Sequence, residues 1–212
     1  MNIGYHNGPG TPAGSPSIYI NLNALTTAIT VSNSGTSADA SRAPIRLLGS
    51  GNNTLKVYKG KVEFGTNTDD ITSKITTLTV KYDTKVNTDA DVFIGSGVDL
   101  SGMYIYGGDT FLDCSFNTGY MYAGALYMDA AWEAGSTILS TYGGTANLKT
   151  SGTLDTLSMY GGTVDVTKAV SGSSTISTLG MDAGAVLKYN TGTSITGITS
   201  LIGAEDITFT AS

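Results

Sequence analysis

Apolar and polar residues alternate along this chain in short stretches bounded by turn residues. Ile18, Ile20 and Leu22 alternate with polar neighbours, and AITVS (Ala28–Ser32) and PIRLLG (Pro44–Gly49) extend the same two-residue period. No window of about 11 residues holds the helical i, i+3, i+4, i+7 spacing without an interrupting Gly or β-branched residue, so the pattern predicts strands throughout.

Later in the chain the alternation becomes a repeat. LSTYGGTANL (Leu139–Leu148) matches LSMYGGTVDV (Leu157–Val166) position for position in apolar, polar and Gly character, at an offset of 18 residues. A looser form, with an apolar-x-apolar strand, a turn rich in Gly, Ala or Asp and a second short strand, starts at Leu55, Leu78, Met103, Leu126, Leu179 and Ile198. The steps run from 13 to 25 residues, and the short step from Leu126 to Leu139 fits worst. Strand repeats of about 20 residues favour a parallel solenoid over a propeller, whose blades need about twice that length. The expectation is an all-β parallel β-helix (β-solenoid) of about 7–8 irregular rungs. Leu157 and Met159 should stack beneath Leu179 and Met181 and on Leu139 and Thr141. Gly107, Gly108, Gly143, Gly144, Gly161, Gly162 and Gly184 should mark corners where a Cβ does not fit.

This pattern divides the chain into three parts: an N-terminal arm at 1–17 rich in Gly, Pro and Ser, capping and docking strands at 18–52, and the solenoid at 53–212. Composition agrees with short strands and tight turns, since 28 Gly accompany only 4 Pro and 13% charged residues, while 40% hydrophobic content argues against disorder. The N-terminus lacks a basic region followed by an apolar one, and no apolar run approaches a membrane span, which predicts a chain made without a signal peptide and away from membranes.

Charge is distributed unevenly. Residues 42–85 carry eight Lys and Arg against four acids, whereas residues 86–212 carry three against 12. Arg42, Arg46, Lys56, Lys59 and Lys61, with Tyr5 and His6 in the arm, are the expected partner-binding residues, because the arm, the non-repeating strands and the basic zone all lie at one end. Scattered solubilising lysines would give the same distribution. A net charge of −6, with Lys interleaved by Glu63, Asp69, Asp70 and Asp83, argues against nucleic acid.

The residues also argue against catalysis. Asp69 with Asp70, Asp89 with Asp91, and Glu205 with Asp206 are read as turn residues, in which Asp hydrogen-bonds locally. His6 is the only histidine, and Cys114 has no Cys or His neighbour at ligand spacing, so no catalytic, cofactor or metal site is expected. Tyr106, Tyr142 and Tyr160 share one repeat position, which Asp129 and Asp182 fill in other rungs, with Tyr104, Tyr120, Tyr122 and Tyr127 nearby. Such a stripe could bind sugar faces or a protein, or simply ladder along a parallel sheet.

The repeated LSMYGGTVDV and LGMDAGAVLKY (Leu179–Tyr189) segments in a short chain resemble small β-helical proteins of tailed bacteriophages, particularly capsid decoration (cement) proteins and head fibres. The resemblance covers roughly residues 53–210 and carries over no individual site residue. It implies a structural virion protein on the capsid surface, bound to the major capsid protein through its N-terminal region and assembled as a homotrimer. The alternative is a tail fibre or spike module that binds or cleaves host-surface polysaccharide.

Overall fold

A computed structural model describes residues 2–4, 18–21, 27–32, 45–48, 52–64, 73–80, 90–128, 137–149, 152–167, 174–190, 192–202 and 208–211. The strands in chain order begin with β1 (Asn2–Gly4), β2 (Ile18–Asn21), β3 (Thr27–Ser32), β4 (Ile45–Leu48), β5 (Asn52–Phe64), β6 (Ser73–Val80) and β7 (Ala90–Ile94). They continue with β8 (Val98–Ile105), β9 (Asp109–Leu112), β10 (Phe116–Met121), β11 (Ala125–Met128), β12 (Ile138–Thr141), β13 (Thr145–Leu148) and β14 (Gly152–Met159). The last are β15 (Thr163–Asp165), β16 (Ser174–Met181), β17 (Val186–Tyr189), β18 (Ser194–Ile195), β19 (Ile198–Leu201) and β20 (Thr208–Ala211).

Every pairing among the described strands is parallel, and the pairings form two ladders. The first runs β1, β3, the start of β5, β6, β8, β10, β12, β14 and β16, and ends on β18 with β19. The second runs β2, β4, the end of β5, β7, β9, β11, β13, β15, β17 and β20. A strand in one sheet, a corner and a strand in the other make one rung, and the next rung stacks on it. This is the expected β-solenoid, with described strands ten layers deep in each sheet rather than seven or eight.

Rows of inward side chains hold the stack together. In the first sheet Ile29, Leu55, Leu78, Met103, Leu139, Leu157 and Leu179 share one register row, each with no exposed surface. The second sheet contributes Val62, Val92, Leu126, Ala146, Val164 and Leu187, likewise fully buried. Burying each Leu, Ile or Val side chain contributes about 1.5–3 kcal/mol, and these rows recur in most rungs, so the gain accumulates with height. In β14 the buried residues are Leu154, Leu157 and Met159, so the interval between inward positions changes from three to two along the strand. The expected contacts hold: Leu157 pairs with Leu139 and Leu179, and Met159 with Thr141 and Met181.

Two expectations are corrected. Leu126 does not begin a rung; it lies in the second sheet opposite Thr110 and Ala146, and the first-sheet row passes through Gly119, paired with Met103 and Leu139. A Cβ on Gly119 would lie 2.6 Å from Met103 Cε, 3.0 Å from Phe116 Cε2 and 3.2 Å from Leu139 Cδ1. Its neighbours already fill the space, so the rung carries no aliphatic residue at the position that marks it elsewhere. The strands within 18–52 are not a separate cap either: β2 pairs with β4, β3 and β4 pair with β5, and even β1 pairs with β3. Their alternation is that of rungs.

Candidate functional site

Each rung of the middle region leaves the first sheet through a three-residue corner: Tyr106-Gly107-Gly108, Tyr122-Ala123-Gly124, Tyr142-Gly143-Gly144, Tyr160-Gly161-Gly162 and Asp182-Ala183-Gly184. The residue before each corner points inward, so by strand alternation the first corner residue points out. Its backbone N–H continues the ladder: Tyr122 N donates to Ile105 O at 2.8 Å, Tyr142 N to Met121 O at 2.7 Å, Tyr160 N to Thr141 O at 2.8 Å and Asp182 N to Met159 O at 2.8 Å. The closing glycine needs its backbone freedom. Gly144 has φ +79°, and a Cβ there would sit 2.5 Å from Gly124 O. The preceding glycine is excluded from substitution by approach alone, since a Cβ on Gly161 would lie 2.7 Å from Tyr142 O.

These corners place Tyr106, Tyr122, Tyr142 and Tyr160 in one column. Successive rings stack with centroids 4.7, 4.9 and 4.8 Å apart and planes within 2°, 8° and 15° of parallel. The spacing is the strand separation of a parallel sheet, imposed by the backbone rather than chosen by the rings. All four are 38–51% exposed. Sequence comparison finds three of them and misses Tyr122, because the misregistered Leu126 rung assigns its place to Asp129, which lies outside the described residues. Shorter columns run alongside: Tyr104 on Tyr120 at 5.1 Å in the first sheet, and Phe93, Phe111 and Tyr127 at 4.5 and 4.8 Å in the second.

Stacking decides what the column can contact. Tyr122 and Tyr142 have a ring on each side, so their flat faces are occupied, and the column presents hydroxyls and ring edges. The Tyr122 hydroxyl has its pKa raised above the ordinary value of 10.0, first because its neighbours withdraw it from water and then because Tyr106, Tyr142, Tyr104 and Tyr120 would repel a second phenolate.

The expected partner-binding residues precede or lie within β5 along the chain. Tyr5, His6 and Arg42 lie outside the described residues. Arg46 is in β4 opposite Glu63, Lys61 is in β5 opposite Asp91, and Lys59 is opposite Ser32. Lys56 is exposed. Nearby, Lys74 Nζ and Asp99 Oδ2 form an exposed cross-rung ion pair at 3.0 Å. Asp91, read above as a turn residue, is in strand β7; Asp69, Asp70, Asp89, Glu205 and Asp206 lie outside the described residues. Cys114 is buried, as expected of a small apolar residue. Among the described residues no group of three or more His, Cys, Asp or Glu side chains could hold a metal ion.

One polar atom in the stack is unusual. Thr110 occupies the inward row between Val92 and Leu126, fully buried, and its Oγ1 has no hydrogen-bond partner. Thr141, also inward, donates through Oγ1 to Gly161 O at 2.9 Å. Comparison with protein-family models, with curated proteins and with solved structures finds no match.

Proposed function

We propose that the chain is a structural virion protein that decorates and stabilises the capsid of a tailed bacteriophage. In this reading it sits on the capsid surface as a trimer, held on the major capsid protein by its N-terminal region, and its role is mechanical rather than catalytic. The observation that carries the reading is the unbroken stack. Two parallel ladders around stacked, mostly aliphatic rows make a stiff rod, because bending it would open several buried rows at once. Stiffness is what a component that reinforces a shell must supply.

The second reading, a tail fibre or spike module that binds host-surface polysaccharide, draws on the exposed tyrosine column. With the inner ring faces covered, sugar contacts would run through the phenol hydroxyls and ring edges. One experiment separates the two. Purified particles are resolved on a denaturing gel, and the 21.8 kDa band is quantified against the major shell protein. A decoration protein is expected at a copy number comparable with the shell protein; a band at a small fraction of it points to a fibre, and absence from the particle rejects both.

A further inference from the structure

We infer that the free face of Tyr160, with Asp182 and Ile202, forms a recess that takes one guanidinium group, the head of an arginine side chain on a protein partner. The tyrosine column stops at Tyr160. Tyr142 covers one face of that ring at 4.8 Å, and no ring among the described residues stacks on the other. The next two places in the same column belong to Asp182 and Ile202, since Asp182 N donates to Met159 O at 2.8 Å and Ile202 N to Met181 O at 2.9 Å, as Tyr160 N does to Thr141 O. An aspartate ends well short of a tyrosine hydroxyl, so a carboxylate in place of a ring leaves a gap in the column beside the outer part of Tyr160. The exposures agree: Tyr160 is 51% exposed, the highest of the four tyrosines, and Ile202 is 61% exposed.

The gap has the dimensions and the charge for a flat cation. Tyr160 and Ile202 stand two rungs apart, roughly 9.5 Å at about 4.8 Å per rung. A planar group between them needs about 3.5–4.0 Å to the atoms on each side, which this spacing provides. Asp182 supplies a carboxylate at its inner edge, partly exposed and, among the described residues, without an ion-pair partner. Residues 86–212, which contain the recess, carry three Lys and Arg against 12 acids, so the surrounding field also favours a cation. A guanidinium meets all three walls at once: its flat face stacks on Tyr160, its N–H groups donate to the Asp182 carboxylate, and the methylene stem of the arginine packs against Ile202. A lysine ammonium is a strongly hydrated point charge, which gains the carboxylate but not the stacking. None of the three walls is a cation that would hold an α-carboxylate, which points to arginine within a polypeptide rather than to the free amino acid.

The test titrates the full chain with N-acetyl-arginine methylamide at low ionic strength and follows the NMR signals of the Tyr160 ring and the Ile202 methyl groups. Saturable shifts of both are expected in the millimolar range, the strength that one exposed cation–π contact and one ion pair provide. The corresponding lysine compound should bind about threefold more weakly or worse, and free arginine no more tightly than the blocked form. Asp182→Asn should weaken binding about fivefold, and Tyr160→Ser by a similar factor, with the circular dichroism of the wild type retained in both. The comparison of probes on the wild-type chain stands even where a variant fails to fold. Absence of a saturable shift in the wild type, equal binding of the lysine compound, or tighter binding of free arginine overturns the inference. The experiment involves no capsid, so it can succeed where the capsid assignment fails.

Discussion

The rungs between Val98 and Tyr189 and those between Thr27 and Ile94 stack in the same way but differ in length along the chain, the earlier ones being longer. The former carry the Tyr/Asp-Gly/Ala-Gly corner in every rung, and the described corner of the latter, Tyr58-Lys59-Gly60 with Gly60 at φ 87°, resembles it. The buried rows pass through both regions, from Ile29 and Leu55 to Leu157 and Leu179, with Gly119 and Thr110 each standing in for an aliphatic residue at one position. The solenoid is thus specified by its inward rows, and the glycine corner is one way of joining them. What the corner adds is the outer surface: it is where the tyrosine column stands.

The largest effect should come from breaking a row in its middle. Leu157→Asp places an unpaired charge at a fully buried position and should abolish folding, since the cost of several kcal/mol is comparable with the stability of a whole domain. The same change at Ile198, which continues that row at the last rung but is 56% exposed, should leave a folded protein with a melting temperature lowered by a few degrees. Circular dichroism melts of the two variants decide this. Equal losses would mean that the end rung is as well covered as the centre.

Corner substitutions should come next. Gly144→Ala meets both the left-handed backbone and Gly124 O at 2.5 Å, and should destabilise by about 3 kcal/mol or more. Gly184 has nearly the same φ, +83°, but a Cβ there would meet nothing within 4 Å, so Gly184→Ala should cost only the backbone term, about 1–2 kcal/mol. Urea unfolding of both variants separates close approach from conformation; identical midpoints would show that φ alone governs the corner.

The smallest effect is set by pH. Because the Tyr122 pKa lies above its unfolded value, the phenol is neutral in both states below about pH 10 and contributes nothing to pH dependence there. Above that pH the unfolded chain releases its proton first, so stability should fall with rising pH until the folded phenol also ionises. Tyr122→Phe should flatten this alkaline decline, measured as melting temperature between neutral pH and the region above pH 10. An unchanged slope would show that other groups cause it.

Much of the fold was legible in the chain because a β-solenoid writes its register into local patterns. Leu139 and Leu157 announce themselves as partners by the segments around them, and strand alternation alone identifies β3 and β4. The repeat failed at Gly119, where the row is completed by Met103, Phe116 and Leu139 from neighbouring positions, and that one error hid Tyr122 from its column.

The sequence by itself determined the fold class, the inward residues of most rungs and the need for glycine at the corners, because each depends on contacts that recur at a nearly constant interval. Only the tertiary structure decided that strands before residue 52 join the same ladders, that Lys61 and Asp91 pair in backbone register, and that four tyrosines stack face to face. Those outcomes depend on loop lengths between rungs. A rung can gain or lose residues in its turn without disturbing the row inside, so the outer register is settled by how the layers stack and not by residue spacing along the chain.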